Sequence, residues 1–254
     1  MAPVSTRILR AEGSPRAFRY TCRPMQKQAW TWPTQRLPEP ARLVRWGHFG
    51  VPVLIFPTAG GDLEEIERFH LIAALAELID KGRIKAYSVD GIAVRACLSG
   101  TISQADCLLL QGRYDSYLYE DVLPRIRQDC HDDRIEPILV GASLGAAVAV
   151  GTLLRHTDSF RTAIGLSGRY DPVSLMQNLS GPSLERLRSR TIVLGSGAGD
   201  YEDPEDSRRM SDACASKGIP CRLSLWGPTR DHAWSTWRDL LPGLLAEQLA
   251  NSSR

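Results

Sequence analysis

An α/β fold, with a mostly parallel central sheet and helices on both faces, follows from three features of the sequence. Short apolar runs alternate with longer amphipathic stretches, the runs have strand length, and cap or turn residues mark the boundaries between them. The runs are Pro52–Phe56, Ile84–Val89, Pro137–Val140, Ala163–Leu166, Thr191–Leu194 and Cys221–Trp226. Between them lie Leu63–Asp80, Tyr117–Gln128, Leu144–Arg155, Pro204–Ser216 and Ala233–Leu249. Strands joined through helices need crossover connections, which make neighbours parallel.

Each element has a local reason. "ARLVRWGHFG" at 41–50 predicts an antiparallel edge hairpin before the first parallel strand. "PVLIF" and "PILV" are unbroken apolar runs, as strands buried on both faces must be. "YEDPEDS" offers Asp203 as an N-cap with Pro204 in the first turn, and Gly218 closes that helix in "KGIP". The connections Gly91–Gly112 and Gly168–Arg190 read as irregular. Both follow strand carboxyl ends, where open α/β sheets bind ligands, so they are expected to shape a pocket.

Composition narrows the function classes. The 254 residues are 43% hydrophobic and 24% charged, enough apolar material for one full core. No apolar run approaches the roughly 18 residues that span a bilayer. "MAPVSTRILRAEGSPRAF" has no continuous apolar core, so no secretory signal is expected and the reading is a cytoplasmic protein. The six cysteines show neither a C-x-x-C pair nor zinc-ligand spacing, and they read mostly as small buried hydrophobes. No metal and no organic cofactor are expected.

Net charge is +2 but unevenly spread, with nine Lys/Arg against two Asp/Glu in residues 1–46. Those basic residues are scattered among prolines and tryptophans rather than packed in a run. They read as a solvated, partly extended arm over residues 1–40, not as a nucleic-acid contact. Residues 41–254 are expected to form a single domain.

The chemistry concentrates at "ILVGASLGAA", residues 138–147. Ser143 lies between Gly141 and Gly145, directly after a strand and directly before a helix, the setting a nucleophile elbow requires. The serine must take strained backbone angles, so the flanking positions must lack side chains that would collide with neighbouring backbone. Of the five histidines, His232 alone follows the last strand and precedes the last helix, and it reads as the base. His48, His70, His131 and His156 read as surface or packing residues. The acid that orients His232 is sought in "GSGAGDYEDPED". Asp203 already serves as a cap, Asp200 lies nearest the strand end and is favoured, and Glu202 is held in reserve. The order Ser143, Asp200, His232 is that of hydrolases built on an α/β sheet. Oxyanion donors are expected from the Leu144 N–H and, in "FPTAGGDLEE", the Ala59 N–H, with Gly60 close behind. Trp234 and Trp237, at i and i+3, read as core packing.

With these residues in place the chain resembles the α/β-hydrolase superfamily, in its putative-esterase branch of esterase D-like and mycolyltransferase-like proteins. The resemblance is carried by "VLIFPTAGGD", "ILVGASLGAA", "GSGAGDYEDPEDSRRMS" and "KGIPCRLSLWGPTRDHAWSTWRDLLP", and spans roughly residues 40–245. "TRD" stands before His232 where a glycine is common in that family. The resemblance implies a serine-dependent carboxylic-ester hydrolase acting on a small-molecule ester or acyl substrate, with no cofactor. Two alternatives stay open at this point: acyl transfer by the same triad, and a non-catalytic protein that keeps the fold as a binding scaffold.

Overall fold

Strand β3 (Val51–Phe56) shows how the sheet divides the core. Val53 and Ile55 pack into the cluster on one face while Leu54 and Phe56 pack into the cluster on the other. Successive side chains of a strand point to opposite faces, and helices cover both, so the strand must be apolar throughout. β5 (Ile138–Ala142) divides its side chains in the same way, with Leu139 on one face and Ile138 and Val140 on the other. The computed structural model describes residues 25–251.

The other strands are β1 (Lys27–Trp32), β2 (Ala41–Trp46), β4 (Ile84–Val89), β6 (Thr162–Leu166), β7 (Thr191–Ser196) and β8 (Cys221–Leu225). They form one eight-stranded sheet in the order β1-β2-β4-β3-β5-β6-β7-β8. β2 pairs antiparallel with both β1 and β4, and every pairing from β4 to β8 is parallel. This is the α/β-hydrolase fold. After β3 the chain moves to one side of the sheet, and after β5 it moves to the other. Ligands of open α/β sheets bind in the crevice that such a reversal leaves at the strand carboxyl ends.

The edge differs from the expected hairpin. β2 turns back onto β1, so the sheet begins at Lys27, inside the stretch 1–40 expected as an arm. Its residues 1–24 lie outside the described residues. Arg45 over the Trp30 ring and Arg125 over the Trp32 ring anchor the added strand. Its basic and aromatic residues are thus drawn partly into packing.

The two connections read as irregular are helical. Gly91–Gly112 holds α4 (Ile92–Leu98) and the start of α5 (Gln104–Tyr117), whose N-cap Ser103 accepts from the Asp106 N–H at 3.1 Å. α5 runs through a π-turn at Leu118–Val122 into α6 (Leu123–Cys130). Leu108 and Leu109 both face outward, so α5 lacks the one-sided apolar stripe by which a helix is recognised. Gly168–Arg190 holds α8 (Pro172–Met176) and α9 (Gly181–Leu187), each with proline in its first turn. The segment expected as one helix at Leu63–Asp80 is three short pieces, α1 (Glu65–Arg68), α2 (Leu71–Ala74) and α3 (Ala76–Asp80). His70 in a left-handed conformation breaks the first from the second. The remaining helices are α7 (Leu144–Arg155), α10 (Pro204–Ser216) and α11 (Trp234–Asn251). No described helix is long and apolar enough to cross a membrane.

The cysteine reading needs one correction. Cys97 at the end of α4 and Cys107 in the first turn of α5 form a disulfide. The helix–turn–helix brings their Cα atoms to 5.3 Å, a proximity that spacing alone does not reveal. Cys214 is buried as expected. Closing a loop of 10 residues is worth about 2.5 kcal/mol in the chain-entropy picture. Replacing both Cys97 and Cys107 by serine is therefore expected to lower the urea unfolding midpoint by that amount of stability. An unchanged midpoint would refute the estimate.

Candidate active site

Ser143 occupies the turn from β5 into α7 with φ 55° and ψ −127°. A non-glycine residue held there stores on the order of 1–3 kcal/mol of strain, which persists only where the surroundings dictate it. Here they do. The Ser143 N–H donates to the Leu166 carbonyl at 2.9 Å, continuing the β5–β6 ladder past the strand end. A Cβ on Gly141 would stand 2.0 Å from the Gly145 carbonyl oxygen, and one on Gly145 would stand 2.3 Å from that of Pro57. Both glycines are required by backbone approach, as the sequence implied. Ser143 Oγ consequently projects at the carboxyl end of the central strands.

His232 meets it from the loop between β8 and α11, with Nε2 3.0 Å from Ser143 Oγ. Trp237, buried in α11, packs edge-on to the imidazole at 5.3 Å between centroids. Trp234 stacks on Phe69 at 4.9 Å, in keeping with the packing role read for both tryptophans.

The carboxylate beside the other imidazole nitrogen belongs to Glu202. Its Oε2 lies 3.8 Å from His232 Nδ1, and its side chain is only 1% exposed. At that separation the two groups face each other as a charge pair rather than a hydrogen bond. The Ser167 hydroxyl donates to Glu202 Oε1, and the Ser196 hydroxyl donates to Oε2 at 3.2 Å. Burial by itself would raise the Glu202 carboxyl, but His232 and the two serine hydroxyls outweigh it and hold the group below the ordinary carboxylate range.

Asp200, favoured from the sequence, is not in that position. Its side chain is exposed, and it meets the histidine loop through its backbone. Its carbonyl accepts from the His232 N–H at 3.2 Å, and its own N–H donates to Asp231 Oδ1 at 2.9 Å. The glycines before it serve close packing. A Cβ on Gly197 would stand 1.9 Å from the Arg230 carbonyl oxygen, and one on Gly199 would stand 2.2 Å from Asp231 Oδ1. The loop is pressed against the histidine loop with Asp200 facing solvent, and the longer Glu202 side chain turns inward two residues later.

The loop after β3 carries the second set of amides. Glu65 is buried beneath it and accepts from the Thr58 N–H and the Thr58 hydroxyl, each at 2.7 Å. The Gly60 N–H donates to the Thr58 carbonyl at 2.7 Å, with Gly60 at φ 87°. Of the three consecutive amides at the loop tip, those of Thr58 and Gly60 are engaged internally, which leaves that of Ala59. Leu144, first residue of α7, contributes a helix N-terminal amide with no acceptor inside the helix.

Ser167 and Ser196 were missed by sequence reasoning. Ser196 ends β7 and Ser167 directly follows β6, places where a serine is unremarkable, and only the fold brings them around one carboxylate. Ser167 itself has φ 50°, and its hydroxyl accepts from the Trp237 indole N–H at 3.0 Å. Among the described residues no group of three or more His, Cys, Asp or Glu side chains is arranged to hold a metal ion.

The model of the family described as "Putative esterase" matches residues 72–252. Solved structures share the fold at low identity. A ferulic acid esterase superposes with a TM-score of 0.65 at 16% identity, over 86% of this chain and 96% of that one. FphF, a fluorophosphonate-binding serine hydrolase of Staphylococcus aureus, gives 0.66 at 13% identity, over 89% and 99%. MPT51 (FbpC1) of Mycobacterium tuberculosis gives 0.62 at 13% identity, over 89% and 98%. No curated protein sequence matches.

A carboxylate with a depressed folded pKa adds stability above its unfolded value, and that stability is lost as pH falls through the folded value. For Glu202 the ordinary value is 4.5 and the folded one is lower. Wild type is thus expected to exceed Glu202→Gln in unfolding free energy by a margin that is full near neutral pH and shrinks in acid below about pH 4.5. Urea unfolding at both pH values checks this, and a margin that grows in acid would contradict it.

Proposed function

The chain belongs to the putative-esterase family, and on that premise we propose that it is a serine-dependent carboxylic-ester hydrolase working through an acyl-enzyme. The observation that carries the reading is the 3.0 Å approach of His232 Nε2 to the oxygen of a serine held at φ 55°. The tight turn that imposes this strain also projects the hydroxyl toward a base.

In this reading His232 Nε2 accepts the Ser143 proton as Oγ attacks the acyl carbon. The Leu144 and Ala59 amides receive the oxyanion of the tetrahedral intermediate, each such donor being worth roughly 3–4 kcal/mol of barrier. His232 then delivers its proton to the leaving oxygen, the alcohol departs, and water repeats the sequence on the acyl-enzyme. Glu202, in the place first given to Asp200, holds the Nδ1–H tautomer and stabilises the imidazolium. Every step uses groups of the chain and water.

A fluorophosphonate probe is expected to label wild type and not Ser143→Ala. Labelling that survives the substitution would remove Ser143 from the mechanism. Among the acids, Glu202→Gln is expected to lower kcat by roughly 10²–10⁴, as when a triad carboxylate becomes an amide. Asp200→Asn, facing solvent, is expected to stay within about threefold of wild type. The reverse ranking in steady-state hydrolysis of p-nitrophenyl acetate would return the role to Asp200.

A further inference from the structure

A cavity of about 520 Å³ adjoins the nucleophile elbow, and its floor is the exposed side of α7. Leu144, Ala147 and Val148 line it from that helix, at the i, i+3, i+4 spacing of a single face. Val94 and Leu98 of α4, Leu108 of α5 and Leu175 of α8 form the walls. The lining is aliphatic near Ser143 and becomes polar farther along, where Arg155 at the end of α7 pairs with Asp115 at 2.9 Å. The Arg155 side chain folds back over the helix, with its Nη1 2.9 Å from where a Gly151 Cβ would stand. The apolar floor therefore runs from Leu144 to the turn at Gly151, roughly 10 Å at about 1.5 Å per residue.

We infer that this cavity takes the acyl chain of the ester and selects medium-length unbranched aliphatic acyl groups. The inference rests on Ser143 being the nucleophile. Its direction follows from the site. The leaving oxygen must lie within reach of His232 Nε2, which protonates it, and no residue of the β8–α11 loop lines the cavity. Leu144 does, and its amide is the oxyanion donor beside the acyl carbon, so the chain on that carbon faces the α7 floor. Leu98 and Leu108, each more than half exposed, form an apolar rim that has no packing role of its own. The Cys97–Cys107 disulfide ties the two helices that carry them, and Cys97 is itself part of the wall. An aliphatic wall favours an alkyl chain, and the Arg155–Asp115 pair sets its limit, because a longer chain would strip water from that pair.

Burying one methylene raises kcat/KM by about fourfold at most. The p-nitrophenyl acetate, butanoate, octanoate and hexadecanoate series with wild type is expected to rise at least about tenfold from acetate to octanoate and to fall again at hexadecanoate. Ala147→Phe, which fills the floor, is expected to lower the octanoate-to-acetate ratio about tenfold. Leu108→Arg at the exposed rim gives the same direction without touching the core, in case the first variant folds poorly. A flat or falling profile in wild type, or a ratio unchanged in both variants, would overturn the inference while leaving the esterase reading intact. A gain with octyl acetate instead of the octanoate ester would also overturn it, by assigning the cavity to the alcohol. Absence of both ester turnover and fluorophosphonate labelling in the folded protein would sink the nucleophile reading and this inference together.

Discussion

The approach of the α7 N-terminus to the end of β3 is the constraint on which the rest of the site depends. A Cβ on Gly145 would stand 2.3 Å from the Pro57 carbonyl oxygen, and the obstacle is backbone, so no side-chain rearrangement relieves it. Given that approach, the β5–α7 turn must be tight, and Ser143 is left with the φ of 55° that a tight turn imposes. The same approach brings the Leu144 amide close to the loop that carries Ala59. The strain at Ser143 and the placing of the Leu144 amide are thus two consequences of one packing decision. The cost is offset by the buried parallel ladder on both sides of β5, where each strand residue adds apolar burial worth on the order of 1.5–3 kcal/mol for a large side chain.

The second half of the site is a directional set of hydrogen bonds around Glu202, which faces His232 Nδ1 at 3.8 Å. Trp237 can only donate, so Ser167 accepts from it and must turn its own proton toward Glu202. Glu202, ionised and buried, is an acceptor on both oxygens, so the His232 nitrogen that faces it carries a hydrogen. Nε2 is then left to accept from Ser143 in the neutral imidazole. A tryptophan in the core of α11 therefore orients, through Ser167, the carboxylate that faces His232. Substitution at Ser167 would remove one of the two hydroxyls that hold the Glu202 carboxylate facing His232.

Much of this was legible beforehand, for identifiable reasons. Strands β3 and β5 to β7 are mostly apolar runs, a pattern that burial on both faces leaves in the sequence, and the ends of β3 to β8 were read to within two residues. Ser143 and His232, which the structure brings to 3.0 Å of each other, could be singled out because the local rules at each are sharp: two glycines around a strand end, and a histidine between the last strand and the last helix. The carboxylate that faces His232 was harder to pick out. Asp200 and Glu202 are two residues apart in one loop, and which of them turns inward depends on Gly197 and Gly199 fitting against Arg230 and Asp231 across a gap of some 30 residues in sequence. No local pattern records that fit. α5 escaped for a different reason, since its leucines face the cavity and the solvent as well as the core. The disulfide was invisible because spacing does not say that two helices fold back on each other.

The elements that were hard to read are also those that build the cavity. Ser143 stands at the end of the buried strand β5, where position is dictated by the sheet and tolerates little change. The cavity walls come from α4, α5 and α8, in connections that leave the sheet and return to it, where sequence can vary without disturbing the strands. Such an excursion has a weakness. α4 has only seven residues and gives Ile92 and Ala93 to the core while its far end carries the exposed rim. A helix this short is marginal without a tertiary anchor at each end. The Tyr114 hydroxyl, donating to the Asp90 carbonyl at 2.7 Å, and the bidentate Arg42–Asp90 pair hold the near end. The Cys97–Cys107 bond holds the far one. The disulfide thus secures the part of the molecule that the sheet itself does not reach, the wall against which an acyl chain would lie.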